Sequence, residues 1–215
     1  MELKKVNSLV ELFFEKYKEK KELTNQPFLK WLKTGENDFL TWEQVRNNIC
    51  LFSEYLSKSL SKGDRCVLLS ENRPEWLIAD IAIMNAGGVT VPLFTTYSEK
   101  DYEYIINDCK PKICIISNDT QLKKIEKFIS SETKVISIEN FNQKIESIEN
   151  ILEKNLKKET INIFENYNDK ILRKDLACII YTSGTTGNPK GVMLSHGGIL
   201  SNCEGAQEIL DILVK

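Results

Sequence analysis

The stretch YTSGTTGNPKG, Tyr181 to Gly191, gathers four Ser or Thr hydroxyls, three glycines, one proline and one lysine into eleven positions. Gly184 and Gly187 let the backbone turn tightly and approach a ligand closely. Successive N–H groups in such a turn form a concavity that favours anions. The hydroxyls of Thr182, Ser183, Thr185 and Thr186 add donors beside it, Lys190 adds a mobile positive charge, and Pro189 stiffens the chain just before that charge. A polyanion with several oxygens suits this donor set, and a nucleoside triphosphate is the natural candidate. The spacing runs Gly184-x-x-Gly187-x-x-Lys190-Gly191. It therefore matches neither the Walker pattern GxxxxGK[ST] nor the dinucleotide pattern GxGxxG. Composition by itself leaves a plain polar surface loop open as the other reading.

The surrounding elements must hold this loop. LACIIYT, Leu176–Thr182, is a continuous apolar run and reads as the strand that delivers the loop, with VMLS, Val192–Ser195, as a strand after it and a helix from Gly197 or Gly198 to about Leu210. Upstream, FLTW (39–42), CVLLS (66–70), VTVPLF (89–94), KICIIS (112–117) and KVISI (134–138) read as further short strands. Between them, Val45, Ile49, Phe52, Leu56 and Leu60 fall on one helical face, opened by a Thr41/Gln44 capping box and stopped at Gly63. Pro74 opens a helix that runs to Asn85 and ends at Gly87 and Gly88. Ser98 and Asp101 open another, whose buried stripe is Tyr102, Ile105, Ile106 and Cys109, closed by Pro111. Leu122, Ile125 and Ile129 mark one more helix. Apolar strands alternating with helices predict an α/β fold, a mostly parallel sheet with helices on both faces. The region 139–174, rich in Lys, Glu and Asn, predicts surface helices and irregular chain.

Composition narrows the function classes. A net charge of −2 over 215 residues gives no global field toward nucleic acid. No apolar run reaches the roughly 18 residues of a membrane span. The charged N-terminus lacks the apolar stretch of a signal peptide. Leu9, Leu12, Phe13 and Tyr17 recur there at helical spacing, which predicts an amphipathic helix that packs on its own domain in preference to a membrane surface. The six cysteines, Cys50, Cys66, Cys109, Cys114, Cys178 and Cys203, include no CxxC pair, and His196 is the only histidine. That excludes a zinc cluster of the usual kind and reads as reduced, buried core thiols of a cytoplasmic protein. For His196, which follows a strand and precedes a helix, capping or packing is the expectation, and for Trp76 a place in the core.

With these residues in place, YTSGTTGNPKGVMLSH resembles the phosphate-loop signature of the adenylate-forming (AMP-forming) acyl-CoA synthetase superfamily, which includes luciferases and peptide-synthetase adenylation domains. The segment from Glu71 to Ser98, beginning ENRPEW, is most similar to long-chain fatty-acid–CoA ligases, and FLTWEQV resembles the family's entry segment. The resemblance covers residues 25–120 and 175–205. It implies a ligase: a carboxylate attacks the α-phosphate of ATP, and a thiol, usually that of coenzyme A, then displaces AMP. Thr182, Ser183, Gly184, Thr185, Thr186, Gly187 and Lys190 would hold the β- and γ-phosphates, with Lys190 as an electrostatic clamp and Thr182 approaching Mg2+. No catalytic residue is assigned. The implied partners are small molecules (ATP, a fatty acid, coenzyme A) and not nucleic acid, in the cytoplasm, with peripheral membrane contact left open. An aromatic, short-chain or amino-acid substrate stays open as well, as does a non-catalytic nucleotide-binding half of a split protein. Gly197 and Gly198 stand where relatives often carry an Arg-Asn pair, which removes a phosphate contact at that point.

Two expectations concern organisation. Residues 1–38 form the N-terminal helix and entry segment, and 39–215 a partial AMP-binding domain ending just after the phosphate loop. Family members are considerably longer, so the expectation is an N-terminal fragment missing a C-terminal part, unable to make acyl-adenylate alone. Its last helix would carry an apolar face of Ile209, Leu210 and Leu213.

Overall fold

A computed structural model describes residues 6–19, 21–33, 36–154, 170–182 and 187–213. The main sheet holds β3 (Arg65–Leu69), β4 (Val89–Leu93), β5 (Ile113–Ile116), β6 (Lys134–Ser137), β7 (Leu176–Thr182) and β8 (Lys190–Ser195), in the order β6-β5-β3-β4-β7-β8. All neighbours are parallel except β7 and β8, which are antiparallel. The mostly parallel α/β sheet is therefore present. The antiparallel edge follows from chain length: seven residues between β7 and β8 can close a hairpin but cannot carry a parallel crossover.

Strand alternation sorts the core into two faces. Cys66, Leu68, Ile113, Ile115 and Ile136 meet α2 (Trp42–Ser57) and α3 (Pro74–Asn85) on one side. Val67, Leu69, Val91, Leu93, Cys114 and Ile116 meet α4 (Glu99–Cys109) and α5 (Asp119–Ile125) on the other. A third layer lies outside α2 and α3. It is made of α1 (Leu9–Glu19) and the hairpin of β1 (Pro27–Lys33) with β2 (Glu36–Thr41). Being covered on both sides, α3 is apolar nearly all round: Ile78, Ile81 and Met84 face α1, while Ala79, Ala82 and Ile83 face the sheet. In α1, Val10, Phe13 and Phe14 are buried, and Leu9, Leu12 and Tyr17 are half-buried, so the helix packs on its own domain.

Local signals placed most helix ends. The Thr41 hydroxyl accepts from the Gln44 N–H (3.2 Å), and the Thr41 N–H donates to the Gln44 side chain (2.8 Å). Ser98 and Asp101 form the second capping box. Gly87 adopts a left-handed φ of +85° just past α3, as expected, whereas Gly63, at +86°, turns the chain well beyond Ser57 and does not cap α2. Several details differ from expectation. β1 fills a stretch with no strand signal. The first strand of the entry hairpin's second arm begins at Glu36, and Phe39 within it is 45% exposed. Helix α2 ends at Ser57, so Leu60 packs from the turn beyond it. Helix α5 ends at Ile125, and Ile129 packs from the chain beyond it. Within 139–174, a helix α6 (Ile148–Lys154) buries Ile148 and Ile151 against the sheet. The cysteines are all free thiols, but they are not all core: Cys178 is half-buried and Cys203 is exposed on α7 (His196–Leu213), whose solvent side faces outward at that position.

Candidate phosphate-binding site

The delivering strand is pinned at its last residues. Tyr181 is buried, pairs with Gly191 across the hairpin, and its hydroxyl donates to the Asp108 carboxylate on α4 at 2.5 Å. Burial and the Asp108 carboxylate both push this phenol far up, so it stays a protonated donor. The Tyr97 hydroxyl donates to the Tyr181 carbonyl at 2.9 Å. Tyr97 is itself set by the segment 94–97. The Tyr102 hydroxyl donates to the Phe94 carbonyl (2.8 Å), and the Lys124 ammonium donates to the Thr95 carbonyl (2.7 Å). A short relay from α4 and α5 thus fixes where the chain leaves the sheet. A side chain at Gly191 would crowd this anchor, because a Cβ there would lie 3.1 Å from the Tyr181 ring and 3.0 Å from an Ile179 methyl.

Beyond that anchor, Thr182 and Lys190 face each other as the last pair of the β7–β8 ladder, both exposed. Gly187 follows with φ +107° and open space where a side chain would be. The loop therefore requires glycine at 187 for its backbone, not for room. Ser183, Gly184, Thr185 and Thr186 lie outside the described residues. Of the predicted site residues, the fold brings Thr182, Gly187 and Lys190 to one end of one hairpin. The anchors Tyr97 and Asp108 went unread, since each meets Tyr181 across more than seventy residues of chain and so carries no local signal.

The same end of the sheet carries an open crevice of about 520 Å3 between the exits of β3 and β4, reaching Ile180 of β7. The crevice opens at the carboxyl ends of parallel strands, beside the switch point between β3 and β5, whose following helices α3 and α5 lie on opposite faces. Trp76 packs against the core, as expected, from a half-buried position that also forms part of the crevice wall, and Phe94 is 64% exposed at its edge. Glu71 stands at the rim. Burial works against its charge, but hydrogen bonds from Ser117, its own backbone and Gln121 (2.6 Å), with Arg73 nearby, hold the carboxyl below its usual range.

His196 lies away from the loop, at the start of α7, and is 1% exposed. Its Nδ1 accepts from the Leu9 N–H (3.3 Å), and burial pushes its pKa down to about 4. It packs; the helix cap is supplied by Ser195, whose hydroxyl accepts from the Gly198 N–H (3.1 Å). Gly197 donates its N–H to the Arg173 carbonyl at 2.7 Å, and a Cβ would sit 2.9 Å from that oxygen. Gly197 thus serves close backbone packing at the start of the helix.

The fold that carries this hairpin has known counterparts. The chain matches the family profile described as AMP-binding enzyme over residues 14–213. The chain belongs to that family. It is 31% identical over 187 residues to fatty acyl-CoA synthetase A of Dictyostelium discoideum, covering 81% of this chain and 27% of that protein. It is 29% identical over 189 residues to long chain acyl-CoA synthetase 3 of Arabidopsis thaliana, covering 83% and 28%. The crystal structure of ATP bound MatB from Rhodopseudomonas palustris superposes with a TM-score of 0.61 at 26% identity, over 88% of this chain and 36% of that one. The family member in hand thus spans little more than a quarter of the length of these two curated relatives.

Proposed function

We propose that this chain supplies the phosphate-binding part of an ATP-dependent fatty-acid–CoA ligase acting on long-chain acids, in which the carboxylate is first adenylated and then passed to coenzyme A. The observation that carries the reading is the hairpin: Lys190 opposite Thr182, at the exit of a strand anchored through Tyr181 by Tyr97 and Asp108. An ammonium group and a threonine hydroxyl on facing strands bracket a turn with a left-handed glycine, Gly187. The Thr182–Lys190 segment holds the β- and γ-phosphates, and Lys190 balances the charge that builds on the departing pyrophosphate. Fixing the outer phosphates orients the α-phosphorus for attack, which lowers the entropic part of the barrier. The long-chain class rests on the names of the curated relatives.

Magnesium fits here only as the counter-ion that ATP brings with it. Thr182 offers one neutral oxygen, and among the described residues no group of three His, Cys, Asp or Glu side chains could hold a metal. Hard divalent cations prefer several oxygens, carboxylates foremost.

Calorimetric titration of the chain with sodium pyrophosphate tests the reading. Saturable binding that falls at least tenfold in Lys190→Ala supports it. Equal affinity in parent and variant refutes it.

A further inference from the structure

A cavity of about 260 Å3 lies at the other end of the sheet, where β4 and β7 begin. Its walls come from the ends of α2 and α3, the approach to β7, and His196 at the start of α7. Two glycines with left-handed φ, Gly63 and Gly87, form adjoining turns in the wall and put no side chain into the space. The Gly63 N–H donates to the Gly87 carbonyl at 2.9 Å, which ties the two turns together. The remaining lining is mostly apolar, with Leu60 and Met84 prominent.

The polar groups in the wall select the occupant. Lys62 and Asp175 pair at 2.6 Å, and Asp175 also accepts from the Leu172 N–H at 2.8 Å. That pair neutralises itself, and the third charged residue of the wall, Lys170, is solvent-exposed and has a partner of its own, so the wall gives no reason for a charged ligand to enter. His196 accepts at Nδ1 from Leu9, so the neutral ring carries its proton on Nε2, a donor in an apolar wall. Among the described residues nothing accepts from it. An apolar cavity of about 150 Å3 already holds benzene, so this one has room for a ring with a substituent. We propose that this cavity is a second binding site, taking a small, uncharged, mostly apolar molecule that carries one hydrogen-bond acceptor for His196. Its occupant would touch the first residues of both β7 and α7, the elements that flank the phosphate loop.

Benzonitrile and toluene serve as probes of similar size, with and without an acceptor. Each is titrated into the full 215-residue chain carrying 13C-methyl methionine, with the Met84 methyl as reporter. The expected result is saturable binding of both, with benzonitrile about three- to tenfold tighter, the value of one modest hydrogen bond. His196→Asn keeps an acceptor for the Leu9 N–H and removes the Nε2 donor, and it should erase the preference for benzonitrile while toluene still binds. Leu60→Trp fills the space and should remove both. The proposal is overturned if neither probe moves the Met84 methyl, if the preference for benzonitrile survives in His196→Asn, or if folded Leu60→Trp binds as the parent does.

Discussion

Two titratable groups, His196 buried and Asp80 partly so, make opposite demands on pH. His196 is pushed down from its ordinary 6.5 to about 4 by burial, with Asp175 pulling the other way and Lys62 adding to the fall. The unfolded chain therefore binds a proton between pH 6.5 and 4 that the fold refuses. Its contribution to stability is complete above pH 6.5 and is lost as pH falls toward 4. Asp80, on α3, is pushed up from 3.8 to about 6 by burial, with the Thr90 hydroxyl opposing. Here the fold keeps a proton that the unfolded chain releases, so this contribution is present below pH 3.8 and is lost as pH rises through 6. At pH 5, relative to neutral pH, the histidine costs about 2 kcal/mol and the aspartate returns about 1 kcal/mol. The parent protein should hence show a shallow pH profile that conceals both. Thermal melts of the parent, His196→Asn and Asp80→Asn at pH 7.5 and 5 separate them. The histidine variant should lose less on acidification than the parent, by about 4–8 °C for a chain of this size, and the aspartate variant should lose more. Parallel profiles for all three proteins would refute the reasoning.

Other substitutions test particular contacts. Tyr97→Phe removes the hydrogen bond to the Tyr181 carbonyl and should cost about 0.5–1.5 kcal/mol in denaturant melts while also weakening pyrophosphate binding; a melt shift with unchanged binding would show that the anchor serves the fold alone. Gly197→Ala drives a methyl against the Arg173 carbonyl and should cost about 1–3 kcal/mol, whereas Gly205→Ala, with open space around it, should stabilise α7 slightly. Under native conditions iodoacetamide should modify Cys203 first, since Cys50, Cys66, Cys109 and Cys114 are buried and burial pushes the last three thiols well up; mass spectrometry after brief exposure reads the order.

Which parts were legible follows from the range of the forces involved. Capping boxes act over three residues, and Thr41, Gln44, Ser98 and Asp101 announced their helices. Fully buried parallel strands read as unbroken apolar runs, as ICII and the CVLL of β3 do. The strand β1 did not, because PFLKWLK breaks the alternation: its register slips between Pro27 and Leu29, and Phe28 and Leu29 pack on the cluster of α1 and α2 from an outer layer. The extents of α2 and α5 were overread at Leu60 and Ile129, whose burial continues after the helix has stopped. At the site, the donors and the lysine could be read from composition, and Gly187 from its freedom of φ. The anchors could not. Tyr97 and Asp108 act on Tyr181 through contacts 84 and 73 residues apart in sequence, and only the fold creates that proximity. His196 likewise meets Leu9 across 187 residues. A nearest-neighbour reading sees a histidine before a helix and no more.

The central claim is that the turn between β7 and β8 gathers the outer phosphates of a nucleotide. Backbone amide shifts of the 15N-labelled chain, followed as ATP, pyrophosphate and AMP are added in turn, address it directly. The account predicts that ATP and pyrophosphate displace the amides of Thr182, Gly187 and Lys190 together, with AMP far weaker on the same residues. Displacements equal for all three ligands, or absent from this hairpin while present elsewhere, would contradict it.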